Sequence, residues 1–179
     1  AGRNAEARKV LEKVLADEPG NWGVAMQLHD LCVKLKDEKA AKICRGKVLD
    51  AMRENPNLLQ QYARNWQYYH GGQRREWALE AWKRLRSLPV HATSGFASYM
   101  AATVAQQLGR RKEAVELHFE SLDAPQPNYG SSAAGALRNL WAVETLRPDI
   151  EKRMEKVLAR KGSGAQGVHL RITQYLLEQ

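Results

Sequence analysis

The chain has 179 residues, 44% hydrophobic and 27% charged, a globular mixture large enough for a sizeable core and unlike that of a disordered segment. Twenty-eight Lys and Arg against twenty Asp and Glu give +8, which favours acidic peptides, nucleic acid or anionic membrane surfaces without choosing among them. No apolar run reaches the ~20 residues needed to span a bilayer, and two cysteines, Cys32 and Cys44, are too few for a disulfide framework or a zinc cluster.

Residues 4–17 place Ala7, Val10, Leu11, Val14 and Leu15 at i, i+3, i+4, i+7 and i+8, the stripe of a helix with one buried face. Residues 22–35 form the next predicted helix. KDEKAAKICRGKVLDAMRENP then repeats the plan of the opening GRNAEARKVLEKVLADEP: a turn, Glu-Ala or something close to it, an amphipathic run and a proline. Residues 58–69 precede a third copy, GQRREWALEAWKRLRSLP, and residues 95–108 a fourth, GRRKEAVELHFESLDAP. Anchored on Ala7, Ala40, Ala78 and Ala114, the spacings are 33, 38 and 36. Pro19, Pro56, Pro89 and Pro125 keep the same beat, and each is expected to end its helix. Such a period belongs to a two-helix unit and excludes strand-based repeats of about 20–29 residues. The chain is predicted to be helical throughout.

Beyond Pro125 the pattern loosens. Residues 131–146, with Leu137, Leu140, Trp141 and Val143, and residues 149–160, with Ile150, Met154, Val157 and Leu158, predict a fifth, degenerate hairpin. Pro148 opens its second helix, where a missing N–H is harmless. A last helix over 166–178, with Val168, Ile172, Tyr175 and Leu176 on one face, would cap the stack. The organisation is therefore repeats over 1–161, about four and a half units, followed by a loop and capping helix over 162–179.

The turn glycine, the small residue five positions on, a bulky residue four further and the terminal proline are Gly109, Ala114, His118 and Pro125 in the fourth unit and Gly2, Ala7, Leu11 and Pro19 in the first. This pattern resembles the tetratricopeptide repeat family over residues 1–125. The resemblance implies an all-α fold, a right-handed α-α superhelix of antiparallel hairpins whose concave face, built mainly from first helices, binds peptides. Where that family prefers a small residue in the first helix, the fourth unit has Ala102, the third Trp66 and the second Leu28, so the helix angles are expected to depart from the family's. The first unit begins at its turn, without a first helix, which suggests a piece of a longer repeat protein. An end left unpaired would favour homo-oligomeric contacts.

Chemistry has little foothold in the sequence. Residues 162–167, GSGAQG, match G-x-G-x-x-G, but a charged helix precedes them where a dinucleotide site needs a strand, so they read as a loop. His29, His70, His91, His118 and His169 are scattered; His29 and Cys32 share a helix face, but two ligands are too few, and no metal or cofactor is expected. Cys32 and Cys44 read as buried free thiols, with a single bridge the alternative. Nucleophile-elbow, H-E-x-x-H and Walker motifs are absent, and no enzymatic activity is expected.

Two surfaces remain. Lys36, Arg74, Arg75, Arg110, Arg111 and Arg147 fall at first-to-second-helix turns, which a stacked array would bring to one edge. Cations ending first helices, with Glu6, Glu38, Glu76 and Glu113 opening second ones, suit the helix dipoles at about 0.3–1 kcal/mol each, and that local account is preferred over a docking edge. The family alignment places Trp22, His29, Gln60, Arg64, Gln67, Phe96, Tyr99, Thr103, Gln106 and Arg138 along the groove. Aromatics with amides and arginine suit an extended peptide. The sequence thus points to a protein-interaction scaffold binding a peptide or protein segment, acidic partners included. An RNA-binding repeat module using the basic edge is the alternative, disfavoured because equivalent positions of successive repeats do not carry matching polar residues.

Overall fold

The structure is a computed structural model that describes residues 2–53, 55–68, 74–126 and 128–158. All regular elements among the described residues are helical, and helices pack in adjacent pairs, as in an α-α superhelix. The chain divides into two compact units, residues 1–61 and 62–179. The predicted loop and capping helix over 162–179 lie outside the described residues.

In the first unit, α1 (Gly2–Asp17) packs on α2 (Trp22–Lys34), and α2 on α3 (Glu38–Ala51). Two side chains define where helices begin: Asn21 Oδ1 accepts from Val24 N at 3.1 Å, and Asp37 Oδ1 from Ala40 N at 3.0 Å. Each satisfies a backbone N–H with no partner inside its helix. Between α2 and α3 the chain turns through Lys36, whose φ of 57° is left-handed. The core gathers Leu15, Ala25, Leu28, Val48, Leu49 and Met52 around Cys32 and Cys44, both free thiols.

The second unit receives the end of α4 (Pro56–Tyr68), then α5 (Arg75–Arg86), the short α6 (Pro89–Ala92), α7 (Phe96–Gln107), α8 (Arg111–Leu122), α9 (Gly130–Trp141), a 3-10 turn (Glu144–Leu146) and α10 (Arg147–Leu158). Helices α5, α7, α8 and α9 pack in succession, and α10 rests on α8 and α9. Trp66, Trp82 and Phe119 are fully buried, each such side chain contributing about 2–3 kcal/mol. Trp66, which stands where a small residue was expected, fits because its ring meets Trp77 edge-on at 5.1 Å. Gly95, at φ 68°, lets the start of α7 touch the end of α8: a Cβ there would lie 2.5 Å from the Ser121 carbonyl oxygen.

The structure moves several sequence expectations. Gly2 lies inside α1 and not in a turn, and Ala7 is exposed. The repeat register runs through Ala41, Ala78 and Ala114, each buried four residues after its N-cap (Asp37, Arg74 and Arg110), so Ala40 is off by one. Pro56 and Pro89 open helices instead of closing them, since the first helical position needs no N–H. Asn55 Oδ1 accepts from Leu58 N at 3.1 Å at the start of α4.

Candidate functional site

The groove residues expected from the sequence divide between the units. In the first, Trp22 at the start of α2 and Gln60 on α4 are half-buried. His29 is 6% exposed, with its Nδ1 3.1 Å from Asp30 Oδ1. It therefore belongs to the core and not to an open groove.

In the second unit the structure brings several of them together on the first helices. Arg64 of α4 is exposed and holds its Cζ 5.6 Å from the centroid of the Phe96 ring. Phe96 opens α7 and lies 4.8 Å from Tyr129, the residue ahead of α9. Tyr129 stacks on Tyr99 at 5.5 Å with 20° between planes. Tyr99 meets His118 at 5.8 Å, and His118 Nε2 lies 3.4 Å from Gln106 Oε1. Thr103, also half-buried, donates its hydroxyl to the Tyr99 carbonyl at 3.0 Å, which ties it to its own helix. Arg138 is exposed on α9.

Gln67 is the exception. It is 2% exposed, and its Oε1 accepts from the Trp82 indole N–H at 3.2 Å. Trp82 in turn stands edge-on to Phe96 at 5.4 Å. Gln67 thus supports the aromatic run from beneath and is not part of its surface. Tyr129 was missed by the sequence reading. Its signal is an aromatic at the start of a first helix, the place Trp22 and Phe96 also hold.

Burial shapes the titration of this region. His118 has no exposed surface, its Nδ1 makes no hydrogen bond among the described residues, and desolvation pushes its pKa down to about 4. It is neutral at pH 7 and serves as packing for Tyr99. In the first unit burial, reinforced by neighbouring Cys32, pushes the Cys44 thiol up to about 11, so it is a poor nucleophile. Among the described residues no three His, Cys, Asp or Glu side chains are placed to hold a metal ion, and no helix is long and apolar enough to cross a membrane.

The second helices of this unit carry a different surface. Arg110 Nη2 donates to both Glu76 carboxylate oxygens at 2.7 Å, and Lys83 pairs with Glu113 and Arg86 with Glu120. Lys112 pairs with Asp149 at 3.2 Å, and Arg153 lies 3.5 Å from Glu116 and 3.8 Å from Asp123. Each rung joins residues about one repeat apart, tying α5 to α8 and α8 to α10. The basic edge is partly absorbed into such local contacts. Arg110 is paired, Arg74 lies 5.5 Å over Trp77, and Arg147 donates to the Trp141 carbonyl at 3.1 Å. Arg75 is half-buried, while Lys36 and Arg111 are exposed.

No family model matches the chain. No curated relative matches it either. Among solved structures it is similar to a crystal structure of MamA, with a TM-score of 0.46, 14% identity, and 99% of this chain and 91% of that chain covered. A second crystal structure of MamA gives a TM-score of 0.46, 15% identity, and 99% and 86% coverage.

Proposed function

We propose that the chain is a protein-interaction scaffold that holds an extended segment of a partner across the first helices of its second unit. The observation that carries this is the contact run Arg64, Phe96, Tyr129, Tyr99, with its rings only half-buried or exposed. Rings already fixed against one another lose little conformational freedom when a ligand covers them, so their burial goes largely into affinity. The +8 balance adds attraction for acidic chains. Side-chain amides such as Gln106 offer donors and acceptors to a peptide backbone.

Selection of an extended-peptide display library on the immobilised protein tests this, with Tyr99→Ala/Tyr129→Ala as the counter-target and its thermal melt as a folding control. Selected peptides are expected to bind the double variant about tenfold more weakly or worse. Failure to enrich any peptide, or equal binding to the double variant, overturns the assignment. The RNA alternative makes the opposite forecast: a single-stranded RNA would bind, with affinity falling steeply as salt rises.

A further inference from the structure

The first helices of the second unit contain no carboxylate. α7 reads FASYMAATVAQQ and α9 GSSAAGALRNLW, and α4, PNLLQQYARNWQY, also lacks Asp and Glu. Their only full charges are Arg64 and Arg138. The second helices α5, α8 and α10 hold eight carboxylates, several of them engaged by cations of the neighbouring second helix. Charge is thus segregated by helix position: mutually neutralising on one set, purely cationic and sparse on the other.

Arg64 gives this segregation a focus. It is exposed and makes no ion pair among the described residues. A guanidinium held against an aromatic ring keeps its N–H edge free for a carboxylate, and the ring reduces the freedom it loses on binding. No acidic side chain on these helices repels an incoming anion. We infer that the face recognises an acidic linear segment in which an Asp or Glu side chain pairs with Arg64 while a nearby apolar or aromatic side chain covers the Phe96–Tyr129–Tyr99 run. This rests on the peptide-binding role proposed above and adds the chemistry of the ligand. A nucleic acid strand fits less well, because it carries a charge at every nucleotide whereas three helices offer two arginines.

The peptide selection described above, sequenced and followed by affinity measurements at 50 mM and 300 mM salt, decides the matter. The selected pool is expected to be enriched in Asp and Glu. Changing the key Glu of a selected peptide to Gln is expected to weaken binding by about three- to fivefold on the native protein at low salt. That change should have no effect on Arg64→Gln, and Arg64→Lys should recover only part of the difference. Peptides that depend on Tyr99 and Tyr129 but show no acidic enrichment would sink the inference while leaving the peptide face standing. Peptides indifferent to the two tyrosines would remove both. A single-stranded RNA that displaces the selected peptides with a steep salt slope would replace the acidic segment by a phosphodiester strand.

Discussion

Hairpins α2–α3 and α7–α8 close their turns with the same hydrogen bonds but with different residues. In the first, Asp37 N donates to the Cys32 carbonyl at 3.0 Å and Lys36 N to that of Val33 at 3.0 Å. In the second, Arg110 N donates to Ala105 and Gly109 N to Gln106, both at 2.9 Å. The left-handed residue is Lys36 in one and Gly109 in the other, at φ 57° and 75°. A lysine there costs about 1 kcal/mol that glycine does not. The first hairpin offsets it with the Asp37 cap, which the second lacks, since Arg110 makes no side-chain cap bond. The interiors differ too. α7 buries Ala97, Ala101, Ala102 and Ala105 completely, whereas Val33 of α2, its C-cap Leu35 and Ile43 of α3 are more than 40% exposed. One turn geometry can thus rest on a cap or on a glycine, and the tighter hairpin is the less tolerant of change.

The largest effect that would sharpen this contrast is at Gly95. Gly95→Ala combines an unfavourable left-handed φ with a Cβ pressed against the Ser121 carbonyl and is expected to cost about 2–4 kcal/mol in denaturant unfolding. A loss under 1 kcal/mol would mean α7 and α8 can part slightly, and that the tight interior is not tight.

Acid comes next. His118 has a folded pKa of about 4 against an ordinary 6.5, so the unfolded chain takes up a proton that the folded one refuses. Its stabilising contribution is complete above pH 6.5 and is lost as pH falls towards 4, about 2 kcal/mol by pH 5. Thermal melts at pH 7.5 and 5.0 should show this slope in the native protein and a flatter one in His118→Gln. In the other hairpin, Asp37 is held below its ordinary range by the Ala40 N–H and then by Arg8. Its contribution is present above the ordinary carboxylate value and goes only as pH drops through the lower folded one. The two hairpins should therefore yield to acid in separate windows.

The smallest effect is at the turns themselves. Lys36→Gly is expected to stabilise and Gly109→Ala to destabilise, each by about 1 kcal/mol, because nothing crowds a Cβ at Gly109 and only backbone conformation is at stake. Chemical denaturation of both variants measures the pair. Equal signs would show that the turns are not equivalent.

Helices were legible in the sequence because their apolar stripes and turn residues are local signals. Residues 4–17, 22–35 and 95–108 were expected, and α1, α2 and α7 are found at Gly2–Asp17, Trp22–Lys34 and Phe96–Gln107. Register was less legible: Ala40 and Ala41 are adjacent small residues, and only burial against α2 selects the second. The proposed face was partly readable. Arg64, Phe96 and Tyr99 were named, but Gln67 was placed in the groove by the family alignment, whereas its bond to Trp82, which buries it, depends on a neighbouring helix. Tyr129 escaped because it precedes α9 and so lies off any helical stripe. The charge segregation between first and second helices was present in the letters throughout, yet it acquires meaning only once helices of each kind are known to share a surface.

The placement of Trp82 has a practical consequence. Its indole is fully buried, hydrogen-bonded to Gln67 and set edge-on to Phe96, while Trp66 and Trp77 lie close to one another in the same unit. Intrinsic fluorescence is sensitive to such surroundings, so a ligand that shifts the Phe96 ring should alter the emission of Trp82 without any attached dye. The molecule carries its own reporter for titrating whatever settles there.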